Sequence, residues 1–102
     1  MEKSFNITTD DNQIIASCIS VQENENIYEI NDVFVKEEYR GKGYGYKLLM
    51  NVIEYYMRKV NGGVIIIICC EITNIPAVNL YKKIFGDAYR YDSRYYYFCI
   101  YC

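Results

Sequence analysis

A glycine-rich turn set between a strand pattern and a helix pattern constrains this chain more than any other feature. The turn is Arg40-Gly41-Lys42-Gly43-Tyr44-Gly45. Before it, Ile27-Tyr28-Glu29-Ile30-Asn31-Asp32-Val33-Phe34-Val35 is rich in β-branched and aromatic residues and bounded by Asn/Glu-rich turns, which predicts a strand. After it, Leu49, Val52, Ile53, Tyr56 and Val60 recur at the spacing of one helical face. Such a turn aims several unpaired backbone N–H groups and the positive end of a helix dipole at one point, which suits a phosphate or pyrophosphate. The spacing narrows the choice. A dinucleotide fingerprint needs G-x-G-x-x-G, but Tyr46 holds the third position and Gly45 comes one residue early. A P-loop needs a Gly-Lys-Ser/Thr that is missing here.

The rest of the chain fits one small domain spanning residues 1–102. At 102 residues it is near the lower end of the size that buries a single core comfortably. A hydrophobic fraction of 52% with 24% charged residues is that of a globular protein. The net charge of −2, with basic residues spread along the chain, gives no reason to expect a nucleic-acid partner. The longest apolar run, Val64 to Cys70, is too short to span a membrane. Met1-Glu2-Lys3-Ser4 leads directly into an alternating strand pattern and not into a secretory leader. Five cysteines are an odd number, so a reducing, cytoplasmic location is expected instead of a disulfide framework. Cys99-Ile100-Tyr101-Cys102 has C-x-x-C spacing, but with no histidine in the chain it reads as part of a last strand, and no metal is expected.

Phe5 to Thr9 and Gln13 to Val21 read as two strands before the Ile27–Val35 strand, with Asp10-Asp11-Asn12 and Gln22 to Asn26 as turns. Short turns make these three antiparallel neighbours. The helix should run from Tyr44 to Val60 and stop at Asn61-Gly62-Gly63. Val64 to Cys70 is apolar without alternation, as in a strand covered on both faces, and the crossover to it should be parallel and right-handed. Thr73 or Asn74 caps a second helix with Pro76 in its first turn, Ala77, Leu80, Tyr81 and Ile84 on its inner face, and Gly86 at its end. Strands around Ala88 to Tyr91 and Tyr95 to Tyr101 finish a βββ-α-β-α-ββ order.

Two motifs now meet. The R-x-x-G-x-G of Arg40 to Gly45 resembles the acetyl-coenzyme A loop of the GNAT superfamily of N-acetyltransferases. Asn74-Ile75-Pro76-Ala77-Val78-Asn79-Leu80-Tyr81 resembles that family's second signature, N-x-x-A-x-x-L-Y. The resemblance implies an α/β (α+β) fold with a mixed, mostly antiparallel sheet, splayed where two parallel strands receive acetyl-coenzyme A. The family's usual first strand and the two helices after it, which wall the acceptor, have no counterpart in this sequence.

Residue by residue, the resemblance assigns backbone groups of Val33, Phe34 and Val35 to the pantetheine arm. It assigns the amides from Gly41 through Lys42, Gly43, Tyr44 and Gly45 to Tyr46 to the pyrophosphate, with Arg40 at the loop entrance. Asn74 and Ala77 would meet the pantetheine, and Lys83 the 3′-phosphate. Tyr81 matches the family's proton donor to the departing thiolate, although core packing accounts for a tyrosine at that position equally well. For the general base, Glu29 comes first and Asp32 second; Asn31 stands beside them but cannot accept a proton. A solvated or salt-bridged role fits either carboxylate too. Gly86 follows Tyr81 by five residues where relatives more often have four, which calls for a bulge in the last helical turn.

The function implied is transfer of an acetyl group from acetyl-coenzyme A to a small amine, a polyamine or a protein amine by direct attack, with no metal. The alternatives are a coenzyme A-binding module without catalysis and a dimeric interaction domain. A homodimer is expected, formed at the exposed edge of the first strand and at the tyrosine-rich tail from Tyr89 through Tyr101.

Overall fold

The computed structural model describes residues 1–60 and 62–102. Its elements are β1 (Glu2–Thr8), β2 (Ile14–Asn24), β3 (Ile27–Val35), α1 (Tyr44–Lys59), β4 (Ile65–Glu71), α2 (Ile75–Phe85), β5 (Arg90–Tyr91) and β6 (Tyr95–Tyr101). The order βββ-α-β-α-ββ is the one the sequence patterns predict. A helical turn at Glu37–Tyr39 was not foreseen. β1 starts earlier than expected, at Glu2, because main-chain pairing with β2 carries polar residues into the strand. β2 runs on to Asn24, which leaves a tight turn before β3. The expected helix stop falls partly at Asn61, outside the described residues; α1 itself ends at Lys59, and Gly62 and Gly63 follow with positive φ.

The strands form one sheet in the order β1-β2-β3-β4-β6-β5. Every neighbouring pair is antiparallel except β3 with β4. That exception follows from the crossover helix between them. Ile27 to Ile30 pair with Ile65 to Ile68, and there the parallel pairing ends although both strands continue. Just past that point Asn31 lies opposite Ile19 and Phe34 opposite Ser17, so β3 carries one residue more than β2. Asp32 absorbs the extra length with φ of 56°, in the left-handed region that aspartate tolerates better than most residues. The bulge interrupts the side-chain alternation that the sequence alone predicts for β3.

Both helices pack on the same side of the sheet. Leu48, Leu49, Val52, Ile53 and Tyr56 of α1 are buried, and Tyr56 stacks on Tyr28 of β3 with ring centroids 3.9 Å apart. α2 buries Val78, Tyr81 and Phe85. This widens the expected inner face: Tyr81 is common to both sets, Ala77, Leu80 and Ile84 are half-buried but packed against the core, and Val78 and Phe85 join them. Ala77 and Leu80 line a cavity beside the sheet, so the helix is rotated to serve the cavity on one flank and the core on the other. The bulge expected before Gly86 is also not seen. The helix runs regularly to Phe85, the Gly86 N–H bonds the Lys82 carbonyl at 3.0 Å, and the extra residue, Phe85, fills core space against Tyr81.

β4 departs from expectation as well. Ile66, Ile68 and Cys70 are buried beneath the helices, but Ile65, Ile67 and Cys69 on the other side are only half-buried, because no element among the described residues covers that face. Among the described residues, no helix is long and apolar enough to cross a membrane.

One polar contact sits within the core: Ser20 of β2, 1% exposed, is hydrogen-bonded to the Tyr56 hydroxyl. Tyr56→Phe leaves the serine hydroxyl buried without a partner and should cost about 1–3 kcal/mol. Ser20→Ala should cost a similar amount, and the double variant less than the sum, since neither orphan then remains. Urea unfolding of the four proteins checks this; additive losses would mean that the pair is not coupled.

Candidate functional site

The site is the cleft opened where β3 leaves β4. From Asn31 to Val35, β3 has no partner on its β4 side, so main-chain groups of this stretch face a gap instead of a neighbouring strand. A cavity of about 720 Å³ occupies the gap, within the size range of small-molecule sites. β3 supplies Val33, Phe34 and Val35 to its wall, the loop and α1 supply Arg40, Gly41, Gly43, Tyr44, Gly45 and Tyr46, and α2 supplies Asn74, Ala77, Tyr81 and Lys83.

The loop has the geometry that its glycines imply. Gly41 and Gly43 have φ of 76° and 87°, and a Cβ on either would point into open space. Gly43 precedes α1, and its carbonyl accepts the Lys47 N–H at 3.0 Å as the first bond of the helix. The N–H groups of Tyr44, Gly45 and Tyr46 therefore have no acceptor within the helix and are directed out of its N-terminus. Gly45 has a different reason: a Cβ there would come within 3.1 Å of Leu80, so glycine lets α1 approach α2 closely. Arg40 fastens the entrance, its Nε donating to the Val35 carbonyl at 2.9 Å.

Charge in the cavity has one sign. Arg40 and Lys83 are among its lining residues, and no aspartate or glutamate is. The Lys83 ammonium lies 5.0 Å from the centre of the Tyr46 ring, a cation–π contact from α2 to α1 across the cavity. Lys42 does not line the cavity; its ammonium lies over the Tyr39 ring, 5.8 Å away. An anionic ligand with an apolar arm matches this combination of amides, cations and hydrophobic wall.

Asn74 caps α2, its Oδ1 accepting the Ala77 N–H at 3.3 Å. One turn further on, Tyr81 sits 5% exposed, with Phe98 and Phe85 set edge-to-face against it at 5.8 and 6.3 Å. The ring is core, yet it also lines the cavity. Burial pushes its phenol well above the ordinary range, with the thiols of Cys70, Cys69 and Cys18 adding to the effect. The hydroxyl thus stays protonated throughout the neutral range.

The two carboxylates stand apart from the cavity; neither Glu29 nor Asp32 is among its lining residues. Glu29 lies opposite Ile67 and Val21, so it points to the sheet face away from the helices, one residue before the strands part. Asn31 donates to it at 3.5 Å. Asp32 is exposed on the bulge. Three lining residues were not singled out from the sequence: Tyr39, Pro76 and Leu80. Pro76 and Leu80 lie inside the second motif and were legible there. Tyr39 carries no signal beyond its place next to Arg40.

The model of the acetyltransferase (GNAT) family matches residues 2–87. Three solved structures share the fold. An acetyltransferase from Bacillus cereus is 18% identical with a TM-score of 0.85, the match covering 100% of this chain and 74% of that one. The ribosomal-protein-S18-alanine N-acetyltransferase from Escherichia coli is 17% identical with a TM-score of 0.78, covering 98% and 68%. A chimera of the spermidine N-acetyltransferase SpeG from Vibrio cholerae and hSSAT is 17% identical with a TM-score of 0.77, covering 98% and 69%. A comparison with curated proteins by sequence gave no significant match. The extent of the family match, more than four-fifths of the chain and both motifs included, settles the assignment: this protein belongs to the GNAT family of acetyltransferases.

Proposed function

We propose that the protein is an N-acetyltransferase that moves an acetyl group from acetyl-coenzyme A to a primary amine, a small amine, a polyamine or a protein amine, by direct attack. The observation that carries the proposal is the convergence on one cavity of the helix N-terminus, the unpaired edge of β3 and the Tyr81 ring. The residues fit the cofactor. Gly41 and Gly43 keep side chains out of the loop's approach, the first-turn amides of α1 and the Arg40 and Lys83 side chains suit phosphates, and the edge of β3 suits the amides of an extended arm. Acetyl-coenzyme A supplies the reactive thioester.

Tyr81 is the proposed proton donor to the departing thiolate. Glu29, with Asp32 as second choice, is the proposed base that takes the ammonium proton through a water. From its face of the sheet, next to the point of parting, Glu29 would meet an acceptor arriving from the side opposite the cofactor. No acyl-enzyme is proposed. Cys18 is buried with its thiol pushed up to about 11, and burial raises Cys69, Cys70 and Cys102 too, so these thiols stay protonated and poor nucleophiles. A reducing cytoplasm, where five unpaired cysteines persist, belongs to the same proposal. So does a homodimer, for which the open edge of β1 speaks.

A module that holds the cofactor without turning it over is the second reading. It draws on the position of Glu29 and Asp32 outside the cavity lining. Thiol release with a panel of amines separates the two: release with any amine favours the enzyme, and none with cofactor bound favours the module.

Acetyl-coenzyme A at ~100 times its dissociation constant should stabilise the fold by about 2.7 kcal/mol, read as a rise in melting temperature. Gly43→Val should lose that rise, at a further cost of about 1–2 kcal/mol to the unliganded fold for placing a side chain at positive φ. A variant that is stabilised as much as wild type would remove the loop from the site.

Tyr81→Phe should lower kcat on the order of 100-fold while cofactor binding is kept, because the ring still packs and only the proton is lost. Since burial raises the phenol, the active protonated form persists through the neutral range, and the ratio of the two rates should not change from about pH 6 to 9. An unchanged kcat would return Tyr81 to a purely packing role.

A further inference from the structure

Charge is divided between the two layers of this molecule. The helices carry Lys47, Arg58, Lys59, Lys82 and Lys83 against the single carboxylate of Glu54, a charge of +4. The whole chain has a net charge of −2, so the strands and loops together hold −6. The sheet face that points away from the helices shows the same division. By register, Glu2 shares that face with Glu29 through Val21, and Glu71 follows Ile67 on it by four residues of β4. Asp92 joins them by accepting the Tyr97 hydroxyl at 3.0 Å. Among the described strand residues, Arg90 is the one cation on this side, paired by register with Tyr97. Its guanidinium lies over the Tyr97 ring, 4.4 Å from the centre, so a cation on an aromatic ring beside a carboxylate is part of the face.

We infer that the acceptor is a polycation: an amine with at least one further positive charge roughly 7–13 Å from the nitrogen that reacts, laid along β4 on the face that carries Glu29. This deepens the N-acetyltransferase reading by naming its acceptor, and it rests on that reading. The span follows from register. Glu29 is level with Ile67, Cys69 comes two residues later and Glu71 four, at about 3.3 Å per residue. Burial raises the Cys69 thiol, and the charges of Glu29 and Asp92 add to the effect, so both carboxylates lie within reach of its sulfur. Between the carboxylates the surface is apolar, with Ile67, Cys69 and Cys99 half-buried. A chain of methylene groups with ammonium groups at intervals matches that order. The reacting ammonium meets Glu29, the alkyl carbons cover Ile67 and Cys69, and the second charge reaches Asp92 or Glu71. A neutral or anionic acceptor leaves Glu29 covered without a counter-charge. The two layers then attract opposite partners, the anionic cofactor to the helices and the cationic acceptor to the sheet. In the transfer, the nitrogen bonds the acetyl carbonyl carbon and the carbon–sulfur bond breaks. Of the two protons that the ammonium loses, one leaves by Glu29 and the other replaces the phenol proton that Tyr81 gives the thiolate.

Thiol release from acetyl-coenzyme A tests the inference, with spermidine, butylamine and two N-terminally blocked lysine peptides, one flanked by arginines and one by glutamates. Calorimetric binding of spermidine to the whole chain is measured beside it. Spermidine or the arginine-flanked peptide should exceed butylamine in kcat/KM by about 10-fold or more, mostly through KM. These two arms tell a free polyamine from a basic polypeptide. The double variant Glu71→Lys/Asp92→Asn should remove that preference; both residues are exposed, and asparagine keeps an acceptor for the turn that Asp92 closes. A melting-temperature rise with acetyl-coenzyme A shows that the variant is folded and loaded. Butylamine or the glutamate-flanked peptide turned over as well as the polycations overturns the inference and leaves the enzyme standing. A preference for polycations that survives in the double variant overturns the role of this face. Thiol release with no amine at all overturns the enzyme reading. Spermidine binding that weakens about 10-fold in the double variant would then keep the polycation site, and no binding would overturn it too.

Discussion

Two neighbouring strands that hydrogen-bond side by side would ordinarily go on doing so, because each unpaired main-chain group loses a partner. Here β3 and β4 part after Ile30 and Ile68, and the site follows from that parting. The left-handed Asp32 and the extra residue it accommodates belong to the same event, since a bulge bends the strand that carries it. The groups released on β3 are the ones an extended ligand can pair with. The same divergence makes room for α2 to bring Tyr81 to the cavity wall while its neighbours Val78 and Phe85 remain in the core.

Tyr81 joins core packing to the cavity wall in one side chain. Its ring is held edge-to-face by Phe98 and Phe85, which fixes its position, and the burial that comes with that packing holds the phenol in its protonated form. A solvent-exposed tyrosine in the same cleft would be neither so well placed nor so firmly protonated. The cationic lining of the cavity has a matching logic: Glu29 points to the other side of the sheet, away from the anionic ligand that the loop amides favour.

Much of this was readable in the sequence because it is local. The strand–glycine–helix frame, the Asn74 cap, the bounds of β3 and the start of α1 follow from residues within a few positions of one another. The inner face of α2 was read in part, without Val78 and Phe85, because helical periodicity shows which residues share a side, but not where that side passes from core to cavity. Ala77 and Leu80 met the cavity. The bulge at Asp32 left no mark in a run of β-branched and aromatic residues, since it depends on the pairing partner. The apolar run of β4 was correctly seen as a strand, yet its second face lies open among the described residues, because composition records what a surface needs and not what supplies it.

The bond from the Arg40 guanidinium to the Val35 carbonyl ties the start of the loop to the end of the strand. It closes a short ring of chain and leaves Gly41 to Gly43 as the span with most torsional freedom before α1 takes over. Ordering a residue costs roughly 1–2 kcal/mol of conformational entropy, and glycine loses more than other residues. A ligand seated on this loop therefore has about three residues to quieten instead of the whole stretch from strand to helix, and most of the entropy of arranging its amides was already spent when the chain folded.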